Sequence, residues 1–337
     1  LKYLLSAVII LVSIIPMNAM IYHVTPNAKA KNTGKKWSRA TTLRQALNHA
    51  VAGDEIWVAM GTYPTSTSNN PLATFTVPAG VKVYGGFRGK EKSLQQRPVD
   101  GRSTLSGELG EAHNHDDNAH TVMTLEAAGD LSSVVDGFNL IGGNSKNYQD
   151  GLSPKSAGGG MIVLSNGDYT TQHQIINCTF EDNKAHNGGA VLIRGGRPLF
   201  SNCKFVTNTA DFNGGGVYND GEGKLSNPVF EQCEFIDNAS STGAGLTNNS
   251  VNGETTPMLI GCQFIDNVSL INGAAIFNIR KDSGKGEPVI ENCKFIGNES
   301  IIGDDIFDQG DGAHLNYLEE TTGQQGGTLR PVAAKRR

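Results

Sequence analysis

Charge and aromatic side chains are both scarce in this 337-residue chain, at 18% and 7%, with only two tryptophans. Helical bundles and coiled coils are built from far more charged, helix-forming residues, so neither class fits. Basic character is missing too. The net charge is −5 and the short KRR end is too little to offset it, so the footprint of nucleic-acid binding is absent. Long apolar stretches are also lacking. The longest, Leu4 to Ile15, is 12 residues, against the ~20 that a membrane-spanning helix needs. What the chain has in abundance is glycine, 42 residues of it, which points to tight turns between slim strands.

The apolar run belongs to an export pattern. Lys2 precedes it, Pro16 breaks it, and Met17-Asn18-Ala19 offers a small residue for cleavage. Residues 1–19 therefore read as a signal peptide, with an uncleaved anchor or a buried first strand as the alternatives. The mature chain is expected to begin near Met20 and to be secreted, periplasmic or at the cell surface. No cysteine follows the run to carry a lipid, and the mature chain shows no transmembrane segment.

The five cysteines recur at one place in near-copies of a single motif: NCTFEDN, NCKFVTN, QCEFIDN, GCQFIDN and NCKFIGN. They fall at Cys178, Cys203, Cys233, Cys262 and Cys293, at intervals of 25, 30, 29 and 31 residues. Two residues after each stands a phenylalanine (Phe180, Phe205, Phe235, Phe264, Phe295). Three further on stands an asparagine (Asn183, Asn208, Asn238, Asn267, Asn298). Prolines at 198, 228, 257 and 288 lie five residues before four of the cysteines. Between copies come glycine-led apolar segments: GGAVLI from 188, GGGVYN from 214, GAGLTN from 243, GAAIFN from 273 and a degraded GDDIFD from 303.

Residues two apart share one side of a strand, so each cysteine and its phenylalanine face the same way. The asparagine ends the strand, being tolerant of the left-handed backbone of a sharp turn. The glycines make the next corner and the apolar triplet the next strand. Such a coil cannot bury its own apolar face and must stack on its neighbours. At about 4.8 Å per rung, like then sits on like in ladders of cysteine, phenylalanine and asparagine. This predicts an all-β chain, a right-handed parallel β-helix. The cysteines read as small buried hydrophobes with free thiols. Disulfides stay open as an alternative, since stacked cysteines lie within bridging range.

Upstream, ATTLRQALNHAVA (residues 40–52) predicts a short amphipathic helix capped by Thr41 or Thr42, with Leu43, Ala46, Leu47 and Val51 on its apolar stripe. Laid over the open end of the solenoid, it shields the first rung. Glycine-punctuated strands follow, and Asp136 in VVDGF reads as a turn residue. The chain thus divides into residues 20–110 (cap and first rungs), 111–308 (repeats) and 309–337 (a polar tail). In the last repeat Asp304 and Asp305 replace small residues, as a polar terminal rung requires.

The pairing of FxxN, as in Phe180–Asn183, with GGA[IVL], as in Gly188–Val191, resembles the repeat of polymorphic outer-membrane proteins. The N-terminal run resembles secreted bacterial pectin-lyase-like proteins at Trp37, GDEIWVA from Gly53, GTY from Gly61, VKVYGGF from Val81 and VDGF from Val135. Together these cover residues 20 to 308. The resemblance implies an exported right-handed β-helix, often on the cell surface. It does not imply one activity, because such proteins range from polysaccharide lyases to adhesins. The long C-terminal membrane barrel of the polymorphic proteins has no counterpart after residue 310.

Candidate ligand-binding residues are the charges that open the variable loops: Arg194, Arg197, Arg280 and Lys281, with Asp220 and Asp282 at comparable positions. Three rungs place Arg194 and Arg280 about 14 Å apart, which suits a groove better than one catalytic centre. Solvated loop charge is the plainer reading. A second concentration holds His113, His115, Asp116, Asp117 and His120, candidate metal ligands if the loop folds back on itself. Calcium in the Asn/Asp/Gly loops is conceivable, although EF-hand and GGxGxD patterns are absent. No cofactor motif is found. The expectation is a monomeric, non-enzymatic protein presenting loops to a polysaccharide or cell-surface glycan, as an adhesin does. The alternative is a carbohydrate-active enzyme, a polysaccharide lyase or glycoside hydrolase, acting on an acidic polysaccharide.

Overall fold

A computed structural model describes residues 19–112, 114–126, 128–146, 156–165, 171–303, 305–310 and 316–318. The expected leader, apart from Ala19, lies outside these residues.

One repeat shows how the chain is wound. Leu199–Ser201, Lys204–Val206, Thr209–Asn213 and Val217–Asp220 are its strands. Each pairs in parallel with the corresponding strand of the next coil: Phe200 with Phe230, Phe205 with Phe235, Val217 with Leu246. Repetition builds four parallel sheets, numbered in the order of these strands and holding 10, 8, 5 and 8 strands, the architecture of a parallel β-helix. Pro198, Pro228, Pro257 and Pro288 stand immediately before their strands, where a missing N–H costs least. The first sheet runs from Ile21–Val24 to Asn316–Leu318, so a further strand lies within the region expected to be tail.

The interior is made of columns. Phe180, Phe205, Phe235, Phe264 and Phe295 stack with centroids 5.2, 4.6, 4.4 and 5.2 Å apart. Beside them all five cysteines are buried and free. Each thiol donates to a carbonyl of the preceding coil, as Cys203 does to Ile175 (3.3 Å) and Cys233 to Phe200 (3.4 Å). Burial pushes the Cys203 thiol well above its ordinary value, and hydrogen bonding to Cys233 pushes Cys262 up to about 12. These are unreactive packing groups.

The asparagines form a continuous column. Nδ2 of Asn183 donates to Oδ1 of Asn208 (3.0 Å), and the pattern repeats through Asn238, Asn267 and Asn298. Each amide also donates to a carbonyl of the preceding coil and accepts a backbone N–H, as Asn208 does from Asn183. The column ends at Asp305, which accepts from Asn298 at 2.8 Å. Asp304 lies outside the described residues. A second column, Asn219–Asn248–Asn278, runs inside the fourth sheet and ends at Asp308 (2.7 Å).

The corner differs from the sequence expectation. The left-handed residue is not the asparagine but the one before it: Asp182, Thr207, Asp237, Asp266 and Gly297, with φ between 51° and 63°. The amide must face the axis to join its column, so the exposed residue ahead of it takes the reversal. A second left-handed corner precedes each cysteine, at Asn177, Asn202, Gln232, Gly261 and Asn292.

At the N-terminal end the helix is Leu43–His49, capped by the Thr42 hydroxyl, which accepts the N–H of Gln45 at 3.3 Å. Leu43, Ala46 and Leu47 bury against the first coil, and the helix touches the strands Ile21–Val24, Glu55–Ala59 and Phe75–Val77. Val51 falls past the helix end and is exposed, outside the stripe assigned to it.

Candidate functional site

Two of the six charges expected to line a ligand groove are consumed by each other. Arg194 grips Oδ2 of Asp220 through Nε (2.8 Å) and a terminal nitrogen (2.7 Å). Asp220, only 3% exposed, accepts the Asn249 amide and the N–H of Glu222 on its other oxygen. The same amide of Asn249 donates to the Tyr218 hydroxyl, whose pKa burial and Asp220 raise. Arg280 is a separate case, mostly buried with Glu287 at 3.9 Å. Lys281 and Asp282 sit exposed on their loop, Asp282 with a left-handed backbone (φ 59°). Arg197 holds its place through its backbone N–H to Thr171. Of the set, Arg194 and Asp220 alone are brought into direct contact.

The histidine-rich loop is likewise turned inward. His115 faces Asp182 (Nε2 to Oδ2, 3.3 Å). Asp117 accepts the N–H of Glu111, and Asn114 caps the short turn by accepting from the N–H of Asp116. His120 is half-buried, and desolvation lowers its pKa. His113 lies outside the described residues. Among the described residues no three His, Cys, Asp or Glu side chains gather as a metal site.

A cleft of about 780 Å³ opens elsewhere, on the outside of the first sheet near the helix-capped end. Its walls are His23, Trp37 and Trp57, and its rim carries Lys36, Lys90 and Lys92. Both tryptophans of the chain are here. Trp57 comes from the strand Glu55–Ala59 and lies flat on Phe87, with centroids 4.8 Å apart at 9°. Its indole N–H donates to Glu55 at 2.9 Å. Trp37, from a single 3-10 turn, donates to the carbonyl of Glu91 at 2.9 Å. His23 meets both indoles edge-on, at 4.7 and 5.7 Å.

The loop that delivers Lys90 and Lys92 is folded by a carboxylate. Glu91 is buried and accepts the N–H groups of Arg88, Gly89 and Lys90 at 2.7, 3.0 and 2.9 Å. Burial acts to raise its pKa, but those N–H groups outweigh it and hold the carboxyl below its ordinary value. The acid is thus spent inside the loop while its lysine neighbours stay outside. In His23, Nδ1 sits 2.9 Å from the carbonyl of Gly34. A carbonyl only accepts, so Nδ1 carries the proton and Nε2 is the basic nitrogen. Burial lowers the pKa, leaving a neutral imidazole at pH 7.

Along the same outer row the next rungs carry Tyr84 and Asp136, in register with Trp57. Arg97 lies 5.8 Å over the Tyr84 ring and binds Asp136 at 2.6 Å. Asp136, expected as a turn residue, therefore ends a strand and anchors both Arg97 and Asn177. This face was hidden in the sequence because the cleft residues come from four separate segments. The signal was the basic company of two of them, KKW at 35–37 and GKEK at 89–92.

No family model matches the chain, and no curated protein matches it. Among solved structures it is similar to the pectin methylesterase of Aspergillus niger (13% identity, 89% of this chain and 92% of that one, TM-score 0.43). It is also similar to the polygalacturonase of Erwinia carotovora (8% identity, 90% and 98% covered, TM-score 0.42) and to a pectate lyase (12% identity, 88% and 81% covered, TM-score 0.39). The β-helix assignment itself rests on the strand register above.

Proposed function

We propose that the protein is carbohydrate-active and takes up an acidic polysaccharide in the cleft of Trp37, Trp57 and His23. The observation that carries this reading is the rim of Lys36, Lys90 and Lys92 around an aromatic wall. Pyranose rings present C–H faces that pack on indole, here that of Trp37 because Trp57 is only 4% exposed, while lysine ammonium groups pair with uronate carboxylates. Tyr84, one rung further along the row, continues the aromatic surface in the direction a polymer would run. On this reading the glycan lies along the first sheet rather than at the Arg194 and Arg280 loops.

Cleavage of the bound polymer is the second reading, and His23 favours it. A neutral imidazole with its basic nitrogen unspent is what proton abstraction at neutral pH requires. A non-enzymatic, adhesin-like role uses the same cleft without that step.

Calorimetry with polygalacturonate and with its methyl-esterified form tests the proposal. Binding is expected for the acid polymer, weakening with salt. The Trp37→Ala variant and the Lys90→Ala/Lys92→Ala pair are each expected to weaken it by ~10-fold or more. Equal binding of both polymers, or variants that bind as the parent does, would overturn the assignment. Unsaturated products or new reducing ends, lost in His23→Gln with binding retained, would identify an enzyme.

A further inference from the structure

The third sheet changes character along its length. Its early strands present mainly polar side chains outward, Lys184, His186, Ser241 and Thr242, with Phe212 as the large apolar exception at 53%. Its last two strands, Val268–Asn272 and Glu299–Ile302, present Val268, Leu270, Ile271, Ile301 and Ile302 instead, all exposed, with Ile301 at 80%. Ile296 adds a sixth aliphatic side chain from the adjoining sheet, at 50%. β-branched and aliphatic residues clustered on a flank mark a surface that is covered in the working molecule. The patch also borders an open edge. Among the described residues, nothing pairs with the outer side of Glu299–Ile302 or of Lys294–Ile296.

We propose that a second copy of this chain covers the face, the two last coils meeting about a twofold axis. Two points favour that occupant. Lys294 and Glu299, both exposed and opposite in charge, flank the aliphatic cluster, so the patch is complementary to itself. A twofold sets the two Glu299–Ile302 edges antiparallel, the geometry in which free strand edges pair.

Sedimentation velocity of the full chain over a concentration series tests this. The parent is expected to show a monomer–dimer equilibrium. Ile301→Lys, which alters an exposed side chain, is expected to weaken it by ~10-fold or more with an unchanged circular-dichroism spectrum. Phe212→Lys, at an exposed aromatic two coils away, should leave it unaffected. A parent that stays monomeric at every soluble concentration overturns the proposal, as does an Ile301→Lys variant that dimerises like the parent.

Discussion

Thr207 holds a left-handed backbone (φ 52°) at a corner where the other coils place aspartate or glycine. A β-branched side chain is the least suited to that conformation. Its hydroxyl makes only a local bond to the carbonyl of Val206. Left-handed geometry costs a non-glycine residue about 1–2 kcal/mol, partly offset by the larger unfolded-state entropy of glycine. Thr207→Gly is therefore expected to stabilise the protein by about 1 kcal/mol, read as a higher denaturation midpoint at unchanged slope. A lower midpoint would show that the corner is not strained. The Phe-x-x-Asn spelling hides this residue, because it draws the eye to the asparagine that has to face inward.

The asparagine column is the element that ties coil to coil. Asn238 receives the N–H and the amide of Asn208 on one oxygen, and its own amide donates to Asn267 and to the carbonyl of Phe205. Asn238→Leu strands buried donors and acceptors on both sides, each worth about 1–3 kcal/mol when unpaired. A loss of ~3 kcal/mol or more is expected on chemical denaturation, well beyond that of Asn298→Leu at the partly exposed end of the column. Equal losses at both positions would argue against a continuous column. Much of this was readable in advance. The spacing of cysteine, phenylalanine and asparagine specifies the coil, its strands and its ladders, because a stacked fold repeats its sequence wherever it repeats its contacts. The second column was missed although Asn219, Asn248 and Asn278 close their triplets, since a final polar letter looks like the start of a loop. The cleft was missed for the opposite reason. It repeats nothing, and residues 23, 37, 57 and 90 meet only once the chain is wound.

At the scale of the whole molecule, acid sensitivity follows from a buried imidazole. His173 is fully buried, and its Nδ1 accepts the N–H of Ser133 at 3.1 Å, a bond that protonation of that nitrogen abolishes. Burial lowers its pKa from 6.5 to about 4. Because the folded value is depressed, the unfolded chain binds the proton first. Stability is complete above pH 6.5 and falls as the pH drops toward 4, by about 3 kcal/mol for a shift of this size. His23 and His120, also lowered by burial, act in the same direction. Denaturation midpoints followed from pH 7.5 to 4 are expected to decline in the parent and to decline less in His173→Gln. Parallel curves would remove His173 from the account.

The asparagine columns also give the solenoid an electrical direction. Every amide in them points one N–H toward the C-terminal coil and its oxygen toward the N-terminal one. Aligned dipoles add, as they do along a helix, so the positive pole of each column lies at the last coil. There the residues change from amide to acid, Asp305 under one column and Asp308 under the other. A carboxylate neutralises that pole and, having no hydrogen to pass on, cannot relay the chain of donors to another rung. Length is thus encoded as polarity. Asparagine extends a column, and aspartate ends it.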